Sequence, residues 1–444
     1  MKHQAISGNH LSGRRPRLAL WLFDGALRRF IRNGTLCVHL PDGTVRRYGG
    51  GAPRIAIAIH GWKTLRRVTL DPDLTLGEAW MDGALTVEQG DLYGFLALCV
   101  ANLDEAAAHW LWRANARFRM LLRRFLMRNP VGRAQRNVAH HYDLGDDPYA
   151  LLLDPERQYS CAYFETPDDS LETAQARKMR HIAAKLRIAP GHKVLDIGSG
   201  WGGLGTYLAR ATQAQVTGVT LSVEQQKYAA DRARRDGLAD RLRFELRDYR
   251  HETGRYDRIV SVGMFEHVGV GHYREYFSRL AALLQADGVA LVHTIGSSRP
   301  PRAPDPWIGK YIFPGGYVPS LSEIVPAIER AGLVVTDIEI LRLHYAETLK
   351  AWRRRFLARR DEAAALYDER FCRMWEFYLA ACEAGFRHNR LVVFQIQLAR
   401  RLDAVPLTRG YIEADESALP DPRSVPDPQG RREGCREGRS VAAE

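Results

Sequence analysis

Cysteine is scarce and scattered in this chain of 444 residues: Cys37, Cys99, Cys161, Cys372, Cys382 and Cys435. No two form a Cys-x-x-Cys pair, and no Cys/His cluster has zinc-ligand spacing, so a structural zinc module is excluded and no metal is expected. Thiols spread this way suit a reducing cytosol. Long apolar runs are missing too. No stretch has the length and apolarity of a membrane span, and Met1 to Arg17 is polar and basic, without the apolar core of a signal peptide. A cytoplasmic protein, soluble or peripheral to a membrane, is expected. Acidic residues fall short of basic ones, 52 against 64, leaving a formal charge of +12 and a pI near 9.5. Such a balance suggests an anionic partner, nucleic acid or phospholipid head groups. Arginine is used far more freely than lysine, so a general compositional bias is the alternative.

What is present is a chain long enough for two domains, with an ordinary hydrophobic content of 45%. Residues 1–14 read as a disordered lead, and residues 15–130 as a mixed α+β unit. Apolar positions at helical spacing run from Arg17 to Arg32. Strand candidates follow at Thr35–Leu40 and Val45–Tyr48, joined by the turn signature Pro41-Asp42-Gly43, then at Ile55–Ile59 and Val68–Leu70. Leu92–Leu103 and Ala106–Met127 read as helices. The second of these mixes Arg113, Arg117, Arg119, Arg123, Arg124 and Arg128 with Trp110, Trp112, Phe118, Leu121, Leu122, Phe125 and Leu126. It is a membrane-surface element or an inter-domain helix.

From 131 to 405 strands alternate with helical patterns. The strands are Val194–Ile197, Gln215–Val219, Leu242–Leu246, Tyr256–Val262 and Val289–Thr294. That rhythm predicts a parallel sheet with helices on both faces, whose ligands bind at the carboxyl ends of the strands. A glycine turn, Asp196-Ile197-Gly198-Ser199-Gly200-Trp201-Gly202-Gly203, follows the first strand. Glycines are needed where a backbone turns sharply and a cofactor approaches closer than a Cβ allows. The second strand ends in Thr220, not in the acid a nicotinamide ribose wants, and Glu224 lies a turn later. S-Adenosylmethionine is favoured over a nicotinamide. Thr220, Asp248, Glu266 and His293 all fall at or just past strand ends. The segment from Asp415 to Glu444 is polar and Pro-rich and reads as a disordered tail.

With these segments in place the chain resembles the cyclopropane-fatty-acyl-phospholipid synthases, and also the mycolic acid cyclopropane synthases, from about Asn137 to Leu402 and more weakly before that. The carrying motifs are His141-Tyr142-Asp143-Leu144-Gly145, Gln158-Tyr159-Ser160-Cys161-Ala162-Tyr163-Phe164, the glycine turn, Gly218-Val219-Thr220-Leu221-Ser222, Ser261-Val262-Gly263-Met264-Phe265-Glu266-His267-Val268-Gly269, His293-Thr294-Ile295-Gly296, and Trp307-Ile308-Gly309-Lys310-Tyr311-Ile312-Phe313-Pro314-Gly315-Gly316. In the N-terminal unit, Leu76-Gly77-Glu78-Ala79-Trp80-Met81-Asp82-Gly83 is similar to the family's Leu-Gly-Glu-Ser-Tyr-Met-Asp-Gly segment. Ser199 stands where the family usually has cysteine.

The resemblance implies a class I methyltransferase, a Rossmann-like sheet flanked by helices, with a smaller N-terminal domain that docks a membrane. It implies a transferase that moves a methylene group from S-adenosylmethionine to a cis double bond of a phospholipid acyl chain, through a methylated carbocation that a base deprotonates as the ring closes. A related reading stops at a methyl or methylene branch. Family members hold bicarbonate as the base. The residues resembling its ligands are Cys161, Glu266, His293, Ile295 and Tyr345, with His293 and Tyr345 donating and Cys161 and Ile295 offering backbone. The resemblance puts Tyr159 and Ser160 near the cofactor's methionine end, along with Asp196, Gly198, Gly200 and Gly202. Thr220 and Gln225 would meet the ribose and Asp248 the adenine, with Tyr249 beside it, and Leu221 and Ser222 are further cofactor-binding candidates. Tyr163, Phe164, Trp201, Phe265, Tyr311, Phe313 and Tyr317 are expected to divide between a lipid tunnel and the core. A homodimer on the inner face of the membrane is implied. No nucleic-acid partner is expected, since no base-recognition motif such as Asn-Pro-Pro-Tyr occurs.

Overall fold

The protein is described here by a computed structural model covering residues 17–103, 110–126 and 147–421. The His141–Gly145 motif, Cys435 and the lead fall outside those residues. The chain divides into two compact units: Met1–Arg123, Arg302–Ile312 and Phe356–Asn389 form one, and the remainder forms the other. The expected single boundary near 130 is therefore corrected. Two later segments return to the N-terminal unit, and local packing explains both. Trp307 lies against Gly77, where any Cβ would meet its indole within 2.4 Å, and it packs on Phe377 at 4.7 Å between ring centroids. Trp80 donates its indole N–H to the Arg373 carbonyl.

The N-terminal unit carries a four-stranded sheet in the order β2-β1-β3-β4: β1 (Gly34–His39), β2 (Val45–Gly50), β3 (Arg54–Ile59) and β4 (Leu85–Gln89). Gly43 turns the β1–β2 hairpin in the left-handed region, at φ +81°. Helices α1 (Arg17–Phe30), α2 (Trp62–Leu70), α3 (Pro72–Met81), α4 (Leu92–Ala101) and α5 (Trp110–Leu126) accompany it. The expected strand Val68–Leu70 is the end of α2. Leu65 and Val68 are buried while Arg66 and Arg67 are not, a three-residue spacing that three residues alone cannot reveal. Both α3 and β4 were missed.

The second unit is built on a seven-stranded sheet, order β10-β11-β9-β8-β5-β6-β7. Its strands are β5 (Lys193–Ile197), β6 (Gln215–Thr220), β7 (Leu242–Leu246), β8 (Tyr256–Val262), β9 (Leu284–Ser297), β10 (Val334–Leu341) and β11 (Leu391–Ala399). The five expected strands pair in parallel. The sheet as a whole is mixed, because β11 runs antiparallel to both β9 and β10. Alternate side chains feed two cores. Val194, Val216, Val260 and Leu291 pack with Met179, Ile182 and Leu186 of α6 (Leu171–Leu186), Leu208 of α7 (Gly203–Thr212) and Ala229 of α8 (Val223–Arg235). On the opposite face Leu195, Val219, Ile259 and Val292 pack with Phe277 of α9 (Tyr273–Leu283) and Ile324 of α10 (Leu321–Arg330). Strands buried on both faces read as continuous apolar runs, which is why they were legible. Helices α11 (His344–Ala358) and α12 (Gly410–Ala418) follow. Helix α12 overlaps the expected tail: Asp415 to Ala418 are helical, and Glu416 accepts from His181 at 3.0 Å.

Candidate active site

The site is assembled at the carboxyl ends of β5, β6 and β8. After β5 the backbone N–H groups of Gly198 and Ser199 both donate to the Val219 carbonyl, at 2.9 and 3.1 Å. Gly198 (φ +83°) and Gly200 (φ +54°) then take left-handed conformations, which glycine adopts without a Cβ penalty. The turn leads into α7. A run of N–H groups and a helix start give this corner a positive potential.

A cleft opens against that turn, with an empty volume near 1420 Å³ including its open mouth. Small-molecule sites measure about 300–1,000 Å³, so a nucleoside-sized ligand fits with space beside it. Tyr159, Ser160, Asp196, Gly198, Gly200, Thr220, Leu221, Gln225, Asp248 and Tyr249 all line it. Gly202 and Ser222 do not. A Cβ at Gly202 would meet Phe244 at 2.7 Å and Ala229 at 2.8 Å, so its glycine serves packing. Ser222 caps α8, accepting from the Gln225 N–H. Sequence reasoning missed Arg157, Ser199, Met264 and His267, which also line the cleft. Each lies inside or next to a quoted motif.

The walls have a defined charge state. Burial lifts the Asp196 carboxyl to about 7, against the pull of the Lys178 ammonium; its Oδ2 has no hydrogen-bond partner, nor has the Ser199 hydroxyl. Burial raises Asp248, but a two-point pairing with Arg250, at 2.9 and 2.6 Å, outweighs it and holds the carboxyl below its ordinary range. Thr220 donates to Gln225 at 3.1 Å. Lys178, fully buried on α6, donates to Gln158 Oε1 at 2.5 Å and Ser160 Oγ at 2.8 Å. Burial lowers its pKa to about 8 while Asp154 supports the charge. Nothing in the sequence marked Lys178, which sits at an ordinary helix position.

Deeper in the same unit lie the other expected residues. Glu266 is buried in the turn after β8, and its Oε1 accepts from the Ile295 N–H at 2.6 Å. That N–H is therefore spent on Glu266, a correction to its expected role toward an anion. Burial raises the Glu266 carboxyl to about 7, and Oε2 is unpartnered. His293 lies within β9, not at its end, because β11 pairs with β9 as far as Ser297. It is 2% exposed, and burial, with Lys178 nearby, holds it well below its ordinary pKa. The Cys161 thiol is pushed up by burial. Ala162 donates to Thr348 of α11 at 3.0 Å. Tyr345, one turn earlier on α11, meets Trp352 edge-on, and Trp352 stacks on Tyr159 at 5.1 Å. The structure thus joins Glu266 to Ile295, places Cys161 and Tyr345 beside one helix, and gives Cys161 and His293 a shared charged neighbour in Lys178.

Of the aromatic candidates, Trp201 and Phe313 line the cleft. Phe265 and Tyr317 are core. Tyr163 is sandwiched between His181 and His344, and Phe164 donates its N–H to His344 at 3.0 Å. Tyr311 belongs to the N-terminal unit, where it donates to Glu78 at 2.9 Å.

A glycine turn, a cleft over the strand ends and helices on both faces define a class I methyltransferase domain. A family model described as mycolic acid cyclopropane synthetase matches residues 131–396, and one described as a domain of unknown function matches residues 25–107. The cyclopropane-fatty-acyl-phospholipid synthase of Escherichia coli (strain K12) is 41% identical over 354 residues, 80% of this chain and 90% of that protein. The tuberculostearic acid methyltransferase UfaA1 of Mycobacterium tuberculosis is 38% identical over 84% of this chain and 90% of its own length. A crystal structure of the mycolic acid cyclopropane synthase CmaA1 complexed with SAH and CTAB is 34% identical over 60% of this chain and 97% of that one, with a TM-score of 0.56. The chain belongs to the cyclopropane synthase family and is an S-adenosylmethionine-dependent transferase.

Proposed function

We propose that the protein transfers a methylene group from S-adenosylmethionine to a cis double bond of a phospholipid acyl chain, closing a cyclopropane ring with bicarbonate as the base. The observation that carries this reading is a buried carboxyl beside the cleft: Glu266 lies between the cleft-lining residues Met264 and His267, burial raises it to about 7, and its Oε2 has no partner. The orphaned Asp196 Oδ2 and Ser199 hydroxyl suit a polar ligand lying along the glycine turn, and SAH in CmaA1 is the demethylated form of that cofactor. When bound, the cofactor supplies an electrophilic methyl group.

The residues would then act as follows. Trp201 and Phe313 present aromatic faces in the cleft, suited to a carbocation because they stabilise charge without trapping it. An alkene is a weak nucleophile, so the cleft would have to hold it in line with the methyl and keep water out. A protonated Glu266 removes the repulsion that a carboxylate would impose on an anion. Neutral His293 and Tyr345 can donate to that anion, and Glu266 Oε2 can pass or accept a proton.

Docking would use the N-terminal unit. Leu18 and Trp21 of α1 are each 70% exposed, as are Phe118 (63%) and Leu121 (78%) of α5, with Arg113 and Arg117 exposed beside them. Apolar anchors among arginines suit the inner face of an anionic bilayer. No helix among the described residues is long and apolar enough to cross it. A homodimer would present two such faces at once.

The similarity to UfaA1 favours a second reading, a methyl branch without a ring. The test uses unsaturated phospholipid vesicles. The wild type should yield ring-bearing chains, while Glu266→Ala and His293→Ala lose product yet keep cofactor affinity in calorimetry. Near-normal turnover in both variants would remove the proton-transfer assignment.

A further inference from the structure

A polar row crosses one face of the large sheet. Glu339 of β10 is in register with Gln395 of β11, and Gln395 with His293 of β9. The row lies on the face covered by α6. Glu339 is bound there by His181 and Lys185, and Gln397, two residues beyond Gln395, donates to the Lys185 carbonyl. Gln395 is fully buried. Its Nε2 lies 3.3 Å from His293 Nδ1, and its Oε1 has no partner.

An amide nitrogen carries two hydrogens and no available lone pair, so it can only donate. The His293 Nδ1 facing it must therefore be the acceptor. A neutral imidazole with an acceptor at Nδ1 carries its hydrogen on Nε2. We infer that Gln395 is a positioning residue that locks His293 as the Nε2–H tautomer, making this histidine a hydrogen-bond donor and not a base. The inference rests on the proposed role of His293 toward an anion.

The consequence is chemical. The opposite tautomer would place a lone pair on Nε2, which repels an anion's oxygen. That lone pair is also a nucleophile, and beside a carbocation it would form a nitrogen–carbon bond and end turnover. An Nε2–H donor does neither. Abstraction of the proton is then left to the anion. A turned-over amide would instead accept from Nδ1–H and give the harmful tautomer, so the two orientations predict opposite spectra.

The experiment is long-range proton–nitrogen correlation on the full chain labelled with nitrogen-15 histidine, with His293 assigned by its loss in His293→Gln. The expected spectrum shows an unprotonated Nδ1 and a protonated Nε2. Gln395→Glu supplies an acceptor and should move the hydrogen to Nδ1. Turnover should then fall about 10²-fold, within the range a positioned donor or proton-transfer group contributes, with cofactor affinity changed less than about twofold. Gln395→Met, which supplies neither donor nor acceptor, should mix the tautomers and lose less activity. If Gln395→Glu does not fold, the wild-type spectrum and Gln395→Met still decide. A wild-type His293 protonated on Nδ1 overturns the inference, as does a Gln395→Glu protein that switches tautomer and keeps its turnover. Full turnover in His293→Gln would instead overturn the role given to His293, whatever the spectrum shows.

Discussion

Replacing Glu266 by glutamine should remove a pH-dependence of stability that the wild type carries. Glu266 is 7% exposed, and burial lifts its carboxyl from an ordinary 4.5 to about 7. Between those values the folded protein holds a proton that the unfolded chain has released. The associated stability is complete below pH 4.5, fades as pH rises, and is gone above the folded value near 7. The gap from 4.5 to about 7 is about 2.5 pKa units, or about 3 kcal/mol in all, of which about 2–3 kcal/mol is lost between pH 5 and pH 8. Glutamine is neutral throughout and resembles the protonated acid. Asp154 and Asp196, also lifted by burial, titrate in both proteins and cancel in the comparison. Urea unfolding at pH 5 and pH 8 should therefore show Glu266→Gln gaining on the wild type by about 2–3 kcal/mol. Parallel curves across that range would refute the buried, protonated Glu266 on which the proposed site depends.

Three further outcomes follow from the same geometry. Lys178→Met leaves Gln158, Ser160 and Asp196 without their cation; removing one partner of a buried charged set costs about 3–5 kcal/mol, so Tm should drop and cofactor binding weaken, and an unchanged Tm would contradict the network. Gly198→Ala places a Cβ 2.9 Å from that of Met264 at a left-handed φ, a conformational cost of about 1–2 kcal/mol, and calorimetry should show at least about tenfold weaker cofactor binding; unaltered affinity would argue that the ligand does not lie along this turn. Leu18→Ala with Trp21→Ala should reduce sedimentation with anionic vesicles, since a fully buried apolar side chain contributes about 1.5–3 kcal/mol; equal binding would move the docking surface elsewhere.

The parallel strands β5 to β9 were legible from their apolar residues, which run together in the buried strands such as β5 and β9 and alternate with polar ones at the edge strand β7, where Leu242 and Phe244 are buried and Arg243 is exposed. The antiparallel strands β10 and β11 were not. Val334–Leu341 carries Thr336, Asp337 and Glu339, and Leu391–Ala399 carries Gln395 and Gln397, so polar residues blur the pattern, Asp337, Glu339 and Gln397 among them because they bind α6. The cofactor cleft was legible from the glycine turn and the strand ends, apart from Gly202 and Ser222, whose motif positions serve packing and capping. Lys178 and Gln395 left no trace, since their meaning comes from register and helix packing. The return of 302–312 and 356–389 to the N-terminal unit depends on a fit, Trp307 over Gly77, that no local pattern encodes.

Ring closure requires a base to remove a proton from the transferred methyl group. Incubation of the purified protein with unsaturated phospholipid vesicles and S-adenosylmethionine bearing a trideuterated methyl tests this directly. Mass spectrometry and proton NMR of the fatty acids should show a cyclopropane carbon retaining two of the three deuteriums. A methyl branch retaining all three, or lipid that carries no label, would contradict it.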